Sequence, residues 1–67
     1  MNKFQIDEKV KVISVEDAMI CDQWASIGDI GKIIDITEID GEKLYFVQFK
    51  KYDYLILGML EYELEAM

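Results

Sequence analysis

Carboxylates dominate the reactive side chains of this chain, with fourteen Asp and Glu against seven basic residues, no His and a single Cys. General acid–base catalysis needs two such groups held across a pocket with their pKa values pushed apart, and a chain of 67 residues has almost no interior in which to build one. Asp29 and Asp40 do not fall into a calcium loop, whose ligands recur at alternate positions over a twelve-residue stretch. Gly28 and Gly31 are followed by neither a Lys-Ser pair nor a helix, so they read as turn glycines and not as a phosphate cradle. Cys21 has no partner for a disulfide, and without His a zinc site has no usual ligand set. These residues predict no catalytic site, no metal and no cofactor: the chain is expected not to be an enzyme. Cys21 reads as a small apolar side chain in or beside the core.

Binding is the chemistry that remains. Glu16, Asp17, Asp22 and Asp29 follow one another with no intervening base, and Asp53, Glu61, Glu63 and Glu65 do the same near the other end. Trp24, Tyr52, Tyr54 and Tyr62 lie in or beside these stretches, and aromatic anchors ringed by charge are what protein interfaces favour. If the two stretches meet in space, Glu16, Asp17, Asp22, Trp24, Asp53, Tyr54, Glu61, Tyr62, Glu63 and Glu65 form one negative face. Such a face would steer a basic partner and could fill a site built for phosphates, as a nucleic-acid mimic does. The same acids would also serve simply to keep an apolar chain in solution. Trp24 suits an interface anchor and a core residue equally.

The elements that must position these residues are strands. Val10 and Val12 alternate with Lys9 and Lys11 in the period-2 pattern of a half-buried strand. From Glu16 to Asp29 the alternation stops, predicting a long acidic loop tied back by Ala18, Met19, Ile20, Trp24 and Ile27. A second strand is expected over Lys32–Ile39, with Ile34 and Ile36 on one face and Ile33 on the other with Asp35 and Thr37. Asp40-Gly41 predicts a type I′ hairpin, because both central residues of that turn need positive φ. A third strand then covers Glu42–Lys50, with Tyr45, Val47 and Phe49 on one face and Leu44, Phe46, Gln48 and Lys50 on the other. Tyr52–Leu57 is expected as a fourth strand by composition, closed by Gly58. The tail fits a 3₁₀ turn from Met59 followed by a short fifth strand on Tyr62 and Leu64.

Val10-Lys11-Val12-Ile13, a long loop, Ile27-Gly28-Asp29-Ile30-Gly31-Lys32-Ile33-Ile34, the Asp-Gly turn, Tyr45-Phe46-Val47-Gln48-Phe49 and the closing Leu60-Glu61-Tyr62-Glu63-Leu64-Glu65 together resemble the SH3-like barrel group. The layout is similar to that of the small barrel protein of photosystem I with its electron-transfer relatives, and to that of small phage and bacterial SH3-like proteins. The resemblance implies an all-β, five-stranded antiparallel barrel spanning residues 1–67 as one domain, closed or nearly so, with the acidic loop after strand one. It does not fix a function. Signalling SH3 domains carry an early A-L-Y-D-Y groove, whereas the echo here, Tyr52-Asp53-Tyr54, comes late. RNA-binding barrels of the KOW type are basic, and this chain is not.

A net charge of −7 and a pI near 4.3 set bare nucleic acid aside as a partner, since phosphate binding rests on Lys and Arg. The first eight residues lack the apolar core of a signal peptide, and no apolar run approaches the roughly 18 residues of a membrane span, so a cytoplasmic protein without membrane contact is expected. A hydrophobic fraction of 52% leaves more apolar surface than one small core can hide, which favours a homo-oligomer or an obligate partner. The leading expectation is a non-enzymatic protein-binding module or small acidic inhibitor, of phage or mobile-element type, that offers its negative, aromatic-dotted face to a basic or nucleic-acid-binding protein. The alternative is a structural component that docks into a larger assembly through the apolar side of strands three and four, with Phe46, Tyr54 and Ile56 as contacts.

Overall fold

The structure is a computed structural model and describes residues 3–14 and 25–67. Five strands run β1 (Lys9–Val12), β2 (Ile30–Ile39), β3 (Glu42–Phe49), β4 (Leu55–Leu60) and β5 (Leu64–Ala66), with 3₁₀ turns at Lys50–Tyr52 and Glu61–Glu63. All pairings are antiparallel, and the order across the sheet is β4-β3-β2-β1-β5. The expected all-β, five-stranded antiparallel architecture is therefore present, but the sheet is not closed: β4 and β5 are its two edges.

The sheet is nevertheless strongly curled, as chain connectivity requires. Laid flat, β4 and β5 would stand roughly 19 Å apart at about 4.8 Å per neighbouring strand. Only the 3₁₀ turn Glu61–Glu63 joins them, and such a turn advances about 2 Å per residue. Curling wraps one face around Val10, Val12, Ile33, Tyr45, Val47, Phe49, Leu57, Met59 and Leu64, all buried, while Phe4 and Ala25 plug the core from outside the strands. Phe4 meets the Tyr45 ring edge-on at a centroid distance of 5.3 Å, and the Lys3 amide donates to the Tyr45 hydroxyl at 3.2 Å.

Asp40 and Gly41 have φ of 51° and 82°, the left-handed pair that a type I′ hairpin needs. From that turn the register runs Ile39↔Glu42 to Asp35↔Phe46, then shifts by one between Asp35 and Ile33, so that Ile33 faces Val47 and Lys32 faces Gln48. Ile34 is the extra residue of a β-bulge. This corrects the facing read from strict alternation: Ile33 and Ile36, not Ile34 and Ile36, turn toward the core, with Ile33 fully buried and Ile36 packed against its margin.

Three further boundaries differ from expectation. β2 starts at Ile30, so Gly31 lies inside it. Tyr52–Tyr54 is not strand, because Lys50–Tyr52 forms a 3₁₀ turn and Asp53 and Tyr54 both adopt left-handed backbone, with φ of 59° and 64°. Gly58 does not end β4 but sits within it beneath the Leu44 side chain. The tail does form a 3₁₀ turn and then a short strand, but Met59 belongs to β4, the turn starts at Glu61 and holds Tyr62, and the strand carries Leu64 without Tyr62.

A Cβ on Gly31 would strike Val47 Cγ1 and lie 2.9 Å from the Gln48 carbonyl oxygen. We predict that Gly31→Ala destabilises the fold by about 1–3 kcal/mol, as overpacking of a filled core does, read from the urea midpoint; an unchanged midpoint would show that β2 and β3 can separate freely.

Glu63 is buried, with 1% exposure. Its Oε1 accepts the Leu60 amide at 2.9 Å, while Oε2 is buried without a hydrogen-bond partner among the described residues. Glu63→Gln keeps that acceptor and removes the carboxyl, so stability should hold or rise. Glu63→Leu strands the amide and should cost about 1–3 kcal/mol; chemical denaturation of the two variants side by side checks the order.

Candidate functional site

Strand pleating sends Val10, Val12, Gly31 and Ile33 inward, so Lys9, Lys11, Ile30 and Lys32 stand on the outer face. The register carries one row across four strands: Lys9 faces Lys32, Lys32 faces Gln48 and Gln48 faces Ile56. The next row places Glu65 beside Lys11 and Lys11 beside Ile30. At this end of the sheet lies an open groove of about 410 Å³, with Lys9, Lys32, Lys50 and the Gln48 amide around it and Ile30 and Tyr54 contributing its less polar walls. Ile30, Tyr54 and Ile56 are each about half exposed, at 48%, 54% and 48%.

The groove's positive charge is local and only partly compensated. Lys32 approaches Asp7 at 3.9 Å and Lys11 approaches Glu65 at 3.8 Å, both pairs being well exposed. Lys9 and Lys50 make no ion pair with any described residue. Like charges directly opposite each other weaken a strand pair, so Lys9↔Lys32 is a local cost in a chain that has twice as many acids as bases.

Tyr54 reaches the outer face because the segment before it is clamped. The buried Asp29 carboxylate accepts the Tyr52 hydroxyl at 2.5 Å, the Ser26 amide at 2.8 Å and the Lys51 ammonium at 3.3 Å. Tyr52 also leans on Phe49 at a ring distance of 6.2 Å. Burial works to raise the Asp29 pKa, but the hydrogen bonds from Tyr52 and Ser26 and the Lys51 charge outweigh it and hold the carboxyl below its ordinary value. The same contacts raise the pKa of Lys51 and of Tyr52, through their hydrogen bonds to Asp29 first.

Of the residues expected to form a negative face, the described ones occupy different places on the molecule. Glu16, Asp17, Asp22 and Trp24 lie outside the described residues. Asp53 and Glu61 stand at opposite ends of β4, and the Glu61 carboxylate accepts the Tyr45 hydroxyl at 3.3 Å. Glu63 points into the protein, which removes it from any surface. Glu65 sits beside Lys11 on the outer face. Tyr54 and Tyr62 are exposed, but Tyr54 borders the lysine groove while Tyr62 borders a second hollow near Gly41 and Lys43. The described chain just before the first acidic stretch does meet the second, the Ile13 amide donating to the Glu63 carbonyl at 2.8 Å.

The lysines were not singled out by sequence reasoning because Lys9, Lys32 and Lys50 are far apart in the chain and only strand register gathers them. The available signal was parity: Lys9 lies out of phase with Val10 and Val12 and therefore faces outward. Among the described residues, no group of three or more His, Cys, Asp and Glu side chains could hold a metal ion, and no helix is long and apolar enough to cross a membrane. Set against protein-family models, curated proteins and solved structures, the chain matches none.

The clamp gives a pH dependence of defined sign. Because the folded pKa of Asp29 is depressed below the ordinary value of 3.8, its contribution is fully present above that value and is lost as pH falls through the lower, folded pKa. Asp29→Asn should lower stability at neutral pH by about 1–3 kcal/mol and flatten the acid limb below about pH 4. Urea titrations of both proteins across that range measure this; parallel acid limbs would exclude Asp29 as the group responsible.

Proposed function

We propose that the chain is a non-enzymatic docking domain that holds a protein partner against the outer face of its sheet. The observation that carries this reading is an open groove bordered by half-exposed Ile30 and Tyr54, with half-exposed Ile56 next to its Gln48 wall in the same cross-strand row. Scattered single apolar residues on a surface are ordinary, whereas an apolar group beside polar side chains marks an interaction site. Phe46 lies on the same outer face, half-buried between Asp35 and Gly58.

We prefer this reading to the acidic inhibitor, whose face would draw in part on Glu16, Asp17, Asp22 and Trp24, outside the described residues. A negative face needs its acids side by side, and Asp53, Glu61, Glu63 and Glu65 are separated, buried or paired. An SH3-like barrel relationship accords with five antiparallel strands curled around one core, and it is part of the same proposal.

Ile56 lets the proposal be tested without touching the core, since its side chain is half exposed. Ile56→Glu should retain the urea midpoint within about 0.5 kcal/mol and should strip the stoichiometric partner from the tagged chain in quantitative affinity capture. Retention of that partner by a folded Ile56→Glu protein would place the docking surface elsewhere.

A further inference from the structure

We infer that the partner segment seated on this face is acidic: a short peptide stretch whose carboxylates meet Lys9, Lys32 and Lys50 and whose apolar side chain rests on Ile30 and Tyr54. The inference rests on the docking reading above and adds the partner's chemistry to it.

Charge complementarity carries the argument. Three lysines border one groove, two of them directly opposite each other across β1 and β2, and Lys9 and Lys50 lack an ion pair with any described residue. A carboxylate placed between Lys9 and Lys32 would relieve their repulsion and satisfy both ammonium groups, which act as point-charge donors. The apolar members of the same groove give the segment a place for one uncharged side chain, so charge and burial act together.

The rim decides between a peptide and a nucleic acid. Asp7 stands beside Lys32, Glu65 beside Lys11, and Asp53 immediately precedes Tyr54. The positive patch is thus only a few side chains wide and is bordered by acids, within a chain of net charge −7. A nucleic-acid strand carries charge at every nucleotide and would run from the lysines onto that acidic border, well inside a Debye length of about 8 Å. A peptide can place its acids at the lysines alone and be neutral or basic where it passes Asp7, Asp53 and Glu65.

The test uses the full chain with three probes: an acidic-apolar peptide of about eight residues, the same peptide with its acids replaced by glutamine, and a single-stranded oligothymidylate of about ten nucleotides. Amide NMR shifts report the place of binding, and titration reports affinity. The expected result is that the acidic peptide moves the signals of Lys9, Lys32, Lys50 and Tyr54 and binds about tenfold more tightly than its glutamine counterpart. That advantage should fall on going from about 50 mM to about 500 mM sodium chloride. Lys9→Gln with Lys32→Gln should abolish the advantage while keeping the urea midpoint close to that of the parent, because losing the like-charge pair offsets losing the exposed Lys32–Asp7 contact.

Equal binding of the acidic and glutamine peptides, tighter binding of the oligonucleotide, or self-association of the chain through the same residues would each overturn the inference. Docking itself is judged separately, on the captured partner. Release by Ile56→Glu but not by the double lysine variant would leave the docking surface intact and remove the acidic-partner claim. Retention through both variants would remove the two together.

Discussion

One inserted residue decides which side of β2 every neighbouring side chain meets. Counting back from the Asp40-Gly41 turn without interruption, Lys32 would face Phe49 and Ile33 would face Gln48; the bulge at Ile34 instead sets Lys32 opposite Gln48 and Ile33 opposite Val47. Since strand side chains alternate with period two, a shift of one exchanges the two faces. The core gains Ile33 and the outer face gains Lys32 from the same displacement. The backbone of Ile33 is fixed there from the other side, donating to the Glu8 carbonyl at 2.9 Å and accepting the Asp7 amide at 2.7 Å. Packing and surface chemistry are therefore not independent in this chain: the arrangement that completes the hydrophobic interior also builds the lysine row.

The curl of the sheet and the exposure of Tyr54 follow from a second, more local constraint. A three-residue turn can bridge β4 and β5 only if the sheet bends, and bending concentrates apolar residues on the concave side while spreading the outer face open. On that outer side, Asp53 and Tyr54 hold left-handed backbone, which costs about 1 kcal/mol or more for non-glycine residues and persists when the surroundings over-determine it. The surroundings here are the Asp29 clamp on Lys51 and Tyr52, immediately before the strained pair. Strain thus sits next to the groove and is held by a buried carboxylate whose charged form the clamp stabilises.

Much of the fold was legible from local patterns. The V-x-V alternation of β1, the Asp-Gly hairpin and the inward Tyr45, Val47 and Phe49 all depend on interactions within a few residues, and all are where the pattern puts them. Ile33 and Tyr52-Tyr54 were misread for physical reasons. A bulge carries no composition signature, and a β-favouring Tyr-Asp-Tyr stretch was overridden by tertiary hydrogen bonds to Asp29 from more than twenty residues away. The candidate site was less legible still, because it consists of charges that meet only through register. Glu63 illustrates the reverse error: an acid counted with surface neighbours turns inward to accept the Leu60 amide of its own turn.

Net charge and local charge answer different questions. A value of −7 describes the field at distances where individual side chains merge, and it governs solubility and long-range encounter. Within a Debye length the nearest side chains dominate, and around the groove those are Lys9, Lys32 and Lys50, with Asp7 and Glu65 at its border. On the proposed reading, an acidic chain would repel most polyanions at long range and still accept a carboxylate that reaches the groove. Such a site would select by the spacing of a partner's charges more than by their total, because only a segment with few acids, correctly placed, avoids the negative border. Selectivity of that kind would need a fixed frame, and among the described residues the bulge sets Lys32 opposite Lys9 and Gln48 while the Asp29 clamp holds the segment that leads into Tyr54.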